Sequence, residues 1–268
     1  MTPLEALLLG ILEGLTEFLP VSSTGHLVLL GRGLGHEDEA AKSLSIVIQL
    51  GAVVAVIVYY RALLLELLRG VLARDPQKLR LVGSLAIAFV PAAAVGLLLG
   101  QRIKDTLLSP LPVAVAAILG GLVMIMSEVM LRGRQTKDDG GVYGVRLGQA
   151  VAVGLAQCLA LWPGMSRSMT TIVGGQMVGL KTATAAEFSF LLSIPVLGAA
   201  TVYDLIKSRD VLFASADATV SLAVGLVSAF IVSLAVIAAF LKYLKRIGLI
   251  PFGIYRVILG VVVIAIAR

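Results

Sequence analysis

The chain has 268 residues, 59% of them hydrophobic and only 14% charged, with a mean hydropathy of +1.01; soluble domains run at about 45–50% apolar and about 25% charged, which excludes a soluble protein. The formal charge of +6 is spread over short segments between apolar blocks, a mark of membrane topology rather than of nucleic-acid binding. The single cysteine, Cys158, excludes an intramolecular disulfide and a cysteine-based metal cluster.

In chain order, Met1-Thr2-Pro3-Leu4-Glu5 carries no basic residue, and no small-residue cleavage site follows the first apolar run, so no cleaved signal peptide is expected. The first apolar block, from Leu4 to Gly33, is broken by Pro20-Val21-Ser22-Ser23-Thr24-Gly25-His26. Three uninterrupted blocks follow, approximately from Ser43 to Tyr60, Val82 to Gly100 and Pro112 to Leu131. A second broken block runs from Leu147 to Leu180, interrupted by Pro163-Gly164-Met165-Ser166-Arg167-Ser168. Three more spans close the chain, from Thr184 to Ile206, Val220 to Leu241 and Ile250 to Ala267. A crossing takes roughly 20 apolar residues. Helix breakers with hydroxyls and charges cannot face lipid, where each unpaired backbone group costs several kcal/mol. The two broken blocks therefore read as re-entrant helix–loop–helix hairpins. The expected fold is an all-α polytopic membrane protein with six transmembrane helices plus those two hairpins, in a single membrane domain.

Basic residues orient it. Arg61, Arg69, Arg74, Lys78 and Arg80 fill one loop; Arg132, Arg134, Lys137 and Arg146 fill a second; Lys242, Lys245 and Arg246 fill a third. The alternate loops carry only the pairs Arg32 with Lys42, Arg102 with Lys104, and Lys207 with Arg209. Cytoplasmic loops are the basic ones, and with both hairpins re-entrant this assignment leaves both termini outside. The hairpins then enter from opposite sides, each followed by three spans, which is an inverted-topology repeat of approximately 1–131 and 147–268. A faint echo, Pro20-x-x-Ser23 against Pro163-x-x-Ser166, agrees. Such repeats set their site near mid-depth, where the broken segments meet.

Glu13 and Glu17 share one helical face at i and i+4. Two acids one turn apart in an apolar segment must be compensated by a cation, a proton or an arginine. The plain alternative is a helix end whose acids snorkel to the interface; the polar loop directly after Glu17 argues against it. Ser22, Ser23 and Thr24 are good N-caps for the following helix, and a helix start with free N–H groups is also an anion site. His26 lies beside two acids and three hydroxyls, which favours catalysis or phosphate contact over a structural role. Arg167 needs an anion: either Glu13 or Glu17 in a buried ion pair, or a phosphate gripped by the guanidinium fork with Ser166, Ser168 and the helix running to Thr171. The flanking hydroxyls favour phosphate. Ser168 stands where a G-x-S-x-G elbow has its last glycine, so the string is not a serine-hydrolase elbow. Gln49 is a candidate to line the site. Plain readings hold elsewhere: His36, Glu66 and Asp75 solvated, Glu128 and Arg256 snorkelling near span ends, Trp162 and the methionines packing. Together the two hairpins carry the equipment of phosphoryl transfer, with Glu13 and Glu17 suited to a hard divalent cation, Mg²⁺ or Ca²⁺.

The segment Glu13-Gly14-Leu15-Thr16-Glu17-Phe18-Leu19-Pro20-Val21-Ser22-Ser23-Thr24-Gly25-His26-Leu27 resembles the acidic signature of the bacterial undecaprenyl-diphosphate phosphatases, the bacitracin-resistance family. Pro163-Gly164-Met165-Ser166-Arg167-Ser168, continuing to Thr171, is similar to its second signature, and Gln49-Leu50-Gly51 and Glu187-Phe188-Ser189-Phe190 extend the likeness along the chain. The resemblance implies hydrolysis of a polyprenyl diphosphate lipid, undecaprenyl diphosphate, to the monophosphate carrier used in cell-wall synthesis. It also implies a bacterial plasma membrane location, divalent-metal dependence, the inverted-repeat fold, and catalytic residues at Glu13, Glu17, Ser23, His26, Ser166 and Arg167. The expected partners are that lipid and the membrane, with no nucleic acid and with a homodimer admitted. Three attacking groups stay open: Ser23 activated by His26 and Glu17, His26 itself, or a water with His26 as base. A rival from another class is a flippase of polyprenyl phosphate, because inverted repeats with broken helices also build carriers.

Overall fold

The computed structural model describes residues 1–36, 39–131 and 140–266, and every regular element among them is helical. Thr2 starts the first helix: its N–H donates to Glu5 Oε2 at 2.7 Å while its Oγ1 accepts from the Glu5 N–H at 3.3 Å, and Pro3 takes the first position, where no donor is needed. This helix, α1 (Pro3–Thr16), ends at the loop carrying Pro20, and α2 (Ser23–Gly33) follows. Next come α3 (Glu39–Val47) and α4 (Gln49–Tyr59), one crossing interrupted at Ile48, then α5 (Arg61–Leu72), α6 (Pro76–Leu107) and α7 (Pro110–Leu131). The second half comprises α8 (Leu147–Cys158), α9 (Arg167–Met177), α10 (Thr182–Lys207), the short α11 (Arg209–Leu212), α12 (Ala216–Ile247) and α13 (Ile250–Ile266).

Among the described residues, five stretches are long and apolar enough to cross a membrane: Ala41–Tyr59, Pro76–Ile103, Pro110–Leu131, Thr182–Lys207 and Ala216–Leu244. They coincide with five of the six expected spans. The sixth is α13, whose 17 residues extend about 26 Å at 1.5 Å per residue, a little less than the 19 residues of the shortest of the five. Neither broken block yields a long helix; α1, α2, α8 and α9 have 14, 11, 12 and 11 residues. Leu97 and Leu98 on α6 are 85% and 81% exposed, and Val227, Ile231, Ile258 and Val261 also face outward. An apolar exterior of this extent belongs in lipid. The chain is a multi-pass membrane protein.

Close approach, rather than bulky side chains, joins the halves. A Cβ added to Gly10 of α1 would lie 2.0 Å from Ser228 Oγ and 2.4 Å from Gly225 O on α12. On α8, a Cβ at Gly154 would lie 2.7 Å from Ala88 O of α6. Lipid supplies no hydrophobic drive between helices, so backbone proximity gained through small residues carries the packing.

Several plain readings of the sequence are corrected. Part of the basic loop after Tyr60 is the helix α5, with Leu65, Leu68 and Leu72 exposed on it, because Leu63–Leu68 has helical rather than loop composition. Glu66 on α5 pairs with Lys78, whose Nζ also lies 3.8 Å from the Tyr143 ring centroid, and Asp75 caps α6 by accepting from the Gln77 N–H at 2.8 Å. His36 is not merely solvated: its Nε2 lies 3.0 Å from Glu5 Oε2, tying the end of α2 to the start of α1. Glu128 is half-buried, with Oε2 accepting from Gln176 Nε2 at 3.4 Å. The basic residues Arg132, Arg134 and Lys137 lie outside the described residues.

Candidate active site

Both broken blocks fold as the breakers dictate. Proline removes a helical N–H and crowds the preceding turn; α6 and α10 carry Pro91 and Pro195 within them, but in the broken blocks, where glycine or serine follows closely, the chain leaves α1 before Pro20 and α8 before Pro163. Each loop then restarts on a serine N-cap with positive φ: Ser22 at φ 76°, accepting from the Gly25 N–H at 3.3 Å, and Ser166 at φ 70°, accepting from the Met169 N–H at 3.3 Å. Positive φ is uncommon for a residue with a Cβ and is tolerated where surrounding contacts fix it, typically at functional loops.

Glu17 joins the two loops. Its Oε2 accepts from Ser23 Oγ at 2.5 Å, and its Oε1 accepts from Arg167 Nη2 at 3.2 Å. Both side chains of this ion pair are at least nine-tenths buried. Arg167 is fixed from behind: its Nη1 donates to Ser189 O at 2.9 Å and to Ser189 Oγ at 3.2 Å, and Ser189 Oγ lies 2.6 Å from Thr171 Oγ1. Ser168 Oγ donates to Leu19 O at 3.0 Å, stitching the second loop to the first, and lies 3.0 Å from Ser166 Oγ. One turn before Glu17, Glu13 is fully buried and neither of its carboxylate oxygens has a hydrogen-bond partner.

His26 is held apart from this line. Its Nδ1 lies 2.7 Å from Ser22 O, a carbonyl that can only accept, so Nδ1 carries the proton. Neutral imidazole then has Nε2 as its acceptor, and the Tyr255 hydroxyl, 2.6 Å away, donates to it.

Among the sequence-derived candidates, the structure brings together Glu13, Glu17, Ser22, Ser23, His26, Ser166, Arg167, Ser168 and Thr171. Ser168 and Thr171 are fully buried and bonded to protein groups, so they orient loop and guanidinium rather than face a ligand. Thr24 and Gln49 are half-buried, and no hydrogen bond ties them to the cluster among the described residues. Sequence reasoning missed Ser189, Tyr255 and Arg256. Arg256 was read as snorkelling, yet it is fully buried, its guanidinium donating to Ala116 O, Ala117 O, Pro20 O and Gly164 O at 3.0–3.3 Å. The signal was available: like Arg167, it interrupts an apolar block. Its carbonyl partners, however, have no signature in a sequence.

Comparison with known proteins identifies the family. The family model described as bacitracin resistance protein BacA matches residues 6–262. The undecaprenyl-diphosphatase of Sorangium cellulosum (strain So ce56) is 59% identical over 260 residues, covering 97% of this chain and 85% of that protein. Those of Nitrosomonas europaea and Clostridium tetani are 46% and 42% identical over 264 residues, covering 98% of this chain and 94% and 96% of theirs. Matched along nearly its whole length, the chain belongs to the BacA bacitracin resistance protein family.

Proposed function

We propose that this chain hydrolyses undecaprenyl diphosphate to undecaprenyl phosphate and inorganic phosphate, recycling a lipid carrier for cell-wall synthesis. The family and the activity for which its relatives are named support the reading, and one observation carries the mechanism: Glu17 touches the Ser23 hydroxyl and the Arg167 guanidinium at once. As Ser23 Oγ attacks the terminal phosphorus, Glu17 takes its proton. The P–O bond to the lipid phosphate breaks, leaving a phosphoserine and undecaprenyl phosphate. Water then attacks the phosphorus, its proton leaving with the inorganic phosphate, and as the Oγ–P bond breaks the proton on Glu17 returns to Ser23 Oγ. Arg167, the Ser166 hydroxyl and the helix starts of α2 and α9 face the negative charge of the diphosphate. His26, with Nδ1 and Nε2 both engaged, positions the Ser22 carbonyl rather than activating Ser23 in this state.

A divalent cation fits the residues present. Glu13 offers two buried oxygens without partners, beside the carboxylate of Glu17. No group of three or more His, Cys, Asp or Glu able to hold a metal is found among the described residues. Two carboxylates with phosphate and water completing the shell is the manner in which Mg²⁺ is usually bound. When bound, such a cation supplies charge neutralisation of the diphosphate.

The finer architecture belongs to the same proposal: six transmembrane helices, with α1–α2 and α8–α9 as re-entrant hairpins, in an inverted repeat of approximately 1–131 and 147–268, both termini on the outer side of a bacterial plasma membrane. Crossed packing supports it, since α1 lies on α12 of the other half as α8 lies on α6. Ser22 and Ser166 are equivalent caps, one register step from the sequence echo, and Gly10 and Gly154 make their close approaches at the same distance before them. The exposed leucines of α5 suit a helix lying in the cytoplasmic interface.

Purified protein in detergent tests the reading, because no membrane remains to be crossed. Phosphate release from undecaprenyl diphosphate is expected, with Ser23→Ala at least about 10²-fold slower. If Ser23→Ala retains substantial turnover while His26→Ala retains none, the nucleophile is misassigned; no phosphate release by the wild type would favour the flippase.

A further inference from the structure

We infer that Arg256 is a positioning residue for this reaction, holding the two broken loops in register from behind the site. The inference rests on the proposed phosphatase reading for its kinetics and on geometry for the rest. Arg256 lies on α13, outside both hairpins, and is fully buried. Nη1 donates to Pro20 O of the first loop at 3.3 Å, and Nη2 donates to Gly164 O of the second at 3.0 Å. The same guanidinium is anchored on α7, with Nε to Ala117 O at 3.3 Å and Nη2 to Ala116 O at 3.2 Å. Its hydrogen bonds reach both breaker loops from a third element, α13, that belongs to neither hairpin. No carboxylate pairs with it among the described residues. A guanidinium taken out of water costs several kcal/mol, and four carbonyl dipoles in a fixed fork are what this one receives in return.

The two bonded carbonyls explain the consequence. Pro20 and Gly164 sit where each hairpin leaves helical geometry, so their oxygens have no helical N–H to accept from. Two residues beyond each lies the positive-φ serine that restarts the chain, Ser22 or Ser166. Fixing both carbonyls to one rigid group sets the entry of α2 relative to that of α9, and thereby sets Ser23 and Glu17 against Arg167. The small residue at Gly120 of α7 leaves room for the guanidinium: a Cβ there would lie 2.2 Å from Arg256 Nη2 and 2.8 Å from Met169 Cε. Because both clashes fall on the far ends of side chains rather than on backbone, Gly120→Ala should displace the guanidinium while leaving the α7 backbone in place.

The test uses the full chain in detergent, with Arg256→Met, Arg256→Lys and Gly120→Ala. Two readouts are taken on folded protein: kcat and KM for phosphate release, and amide hydrogen exchange without substrate. The expected result is a kcat lowered at least about tenfold with KM within about threefold, the loss of one well-oriented charged hydrogen bond being worth that much. Exchange should quicken in 20–26 and 163–169 together. Lysine keeps the charge but not the fork, so Arg256→Lys should resemble Arg256→Met in exchange. If Arg256→Met does not fold, Gly120→Ala is judged by the same two measurements. A kcat within about twofold of wild type, or faster exchange confined to α7 and α13, overturns the inference. Wild-type protein that releases no phosphate sinks the phosphatase reading instead, and the exchange arm still decides the role of Arg256.

Discussion

Glu17 and Arg167 lie 150 positions apart in the chain and meet at 3.2 Å in the interior, each at least nine-tenths buried. The contact joins one hairpin to the other, so a single carboxylate serves both as ion-pair partner and as acceptor for the Ser23 hydroxyl. Removing either member of a buried pair strands the other charge, at a cost of about 3–5 kcal/mol. Glu17→Leu and Arg167→Met should each lower the thermal midpoint sharply and abolish phosphate release. The double variant should recover stability relative to either single one, because no lone charge remains, yet stay inactive. Thermal unfolding in detergent beside a phosphate assay measures both; recovered activity in the double variant would remove Glu17 and Arg167 from the mechanism.

Gly10 and Gly33 make opposite predictions for the same substitution. Gly10→Ala drives a methyl into Ser228 Oγ and the Gly225 carbonyl, and overpacking of this kind costs about 1–3 kcal/mol. Around Gly33, in the last turn of α2, nothing lies within 4 Å of an added Cβ. Gly33→Ala should therefore be neutral or stabilising by up to about 1 kcal/mol, through helix propensity alone. Thermal midpoints of the two variants settle the comparison.

Tyr255→Phe deletes the donor to His26 Nε2 and little else, since Tyr255 is 44% exposed. Stability should change by no more than about 1 kcal/mol, the ordinary value of one hydrogen bond. Turnover should fall by about tenfold at most, with a changed pH–rate profile, because the imidazole loses the partner that fixes its ring. An unaltered profile would confine His26 to a structural role.

Hydrogen bonding to Lys78 holds the Glu66 carboxyl below its ordinary value of 4.5. A depressed folded-state value means stability that is present above the unfolded value and lost as pH falls. Glu66→Gln should therefore lower the thermal midpoint slightly at neutral pH, and the two proteins should converge below pH 4.5. Added salt should shrink the difference, because Glu66 is about half exposed.

Much of the architecture was legible in the order of residues. Apolar length marks the long helices, and Pro20 and Pro163 with their serines mark the two interruptions, because lipid forbids unpaired backbone and a proline joined by N-capping serines favours a break. Glu13, Glu17, His26 and Arg167 announced themselves as ionisable groups in apolar surroundings, where burial demands partners. The helix α5 was hidden by the charges beside its leucines.

What the tertiary structure alone decided is which partner each group took. Ser23 chose Glu17 over His26, His26 turned to Tyr255, and Arg167 leaned on the carbonyl and hydroxyl of Ser189. Arg256, read from sequence as a snorkelling end, became the fully buried link between both loops. A sequence states which groups need compensation, since that follows from residue type and surroundings. Backbone carbonyls belong to every residue alike, so only the fold shows which of them a guanidinium will find.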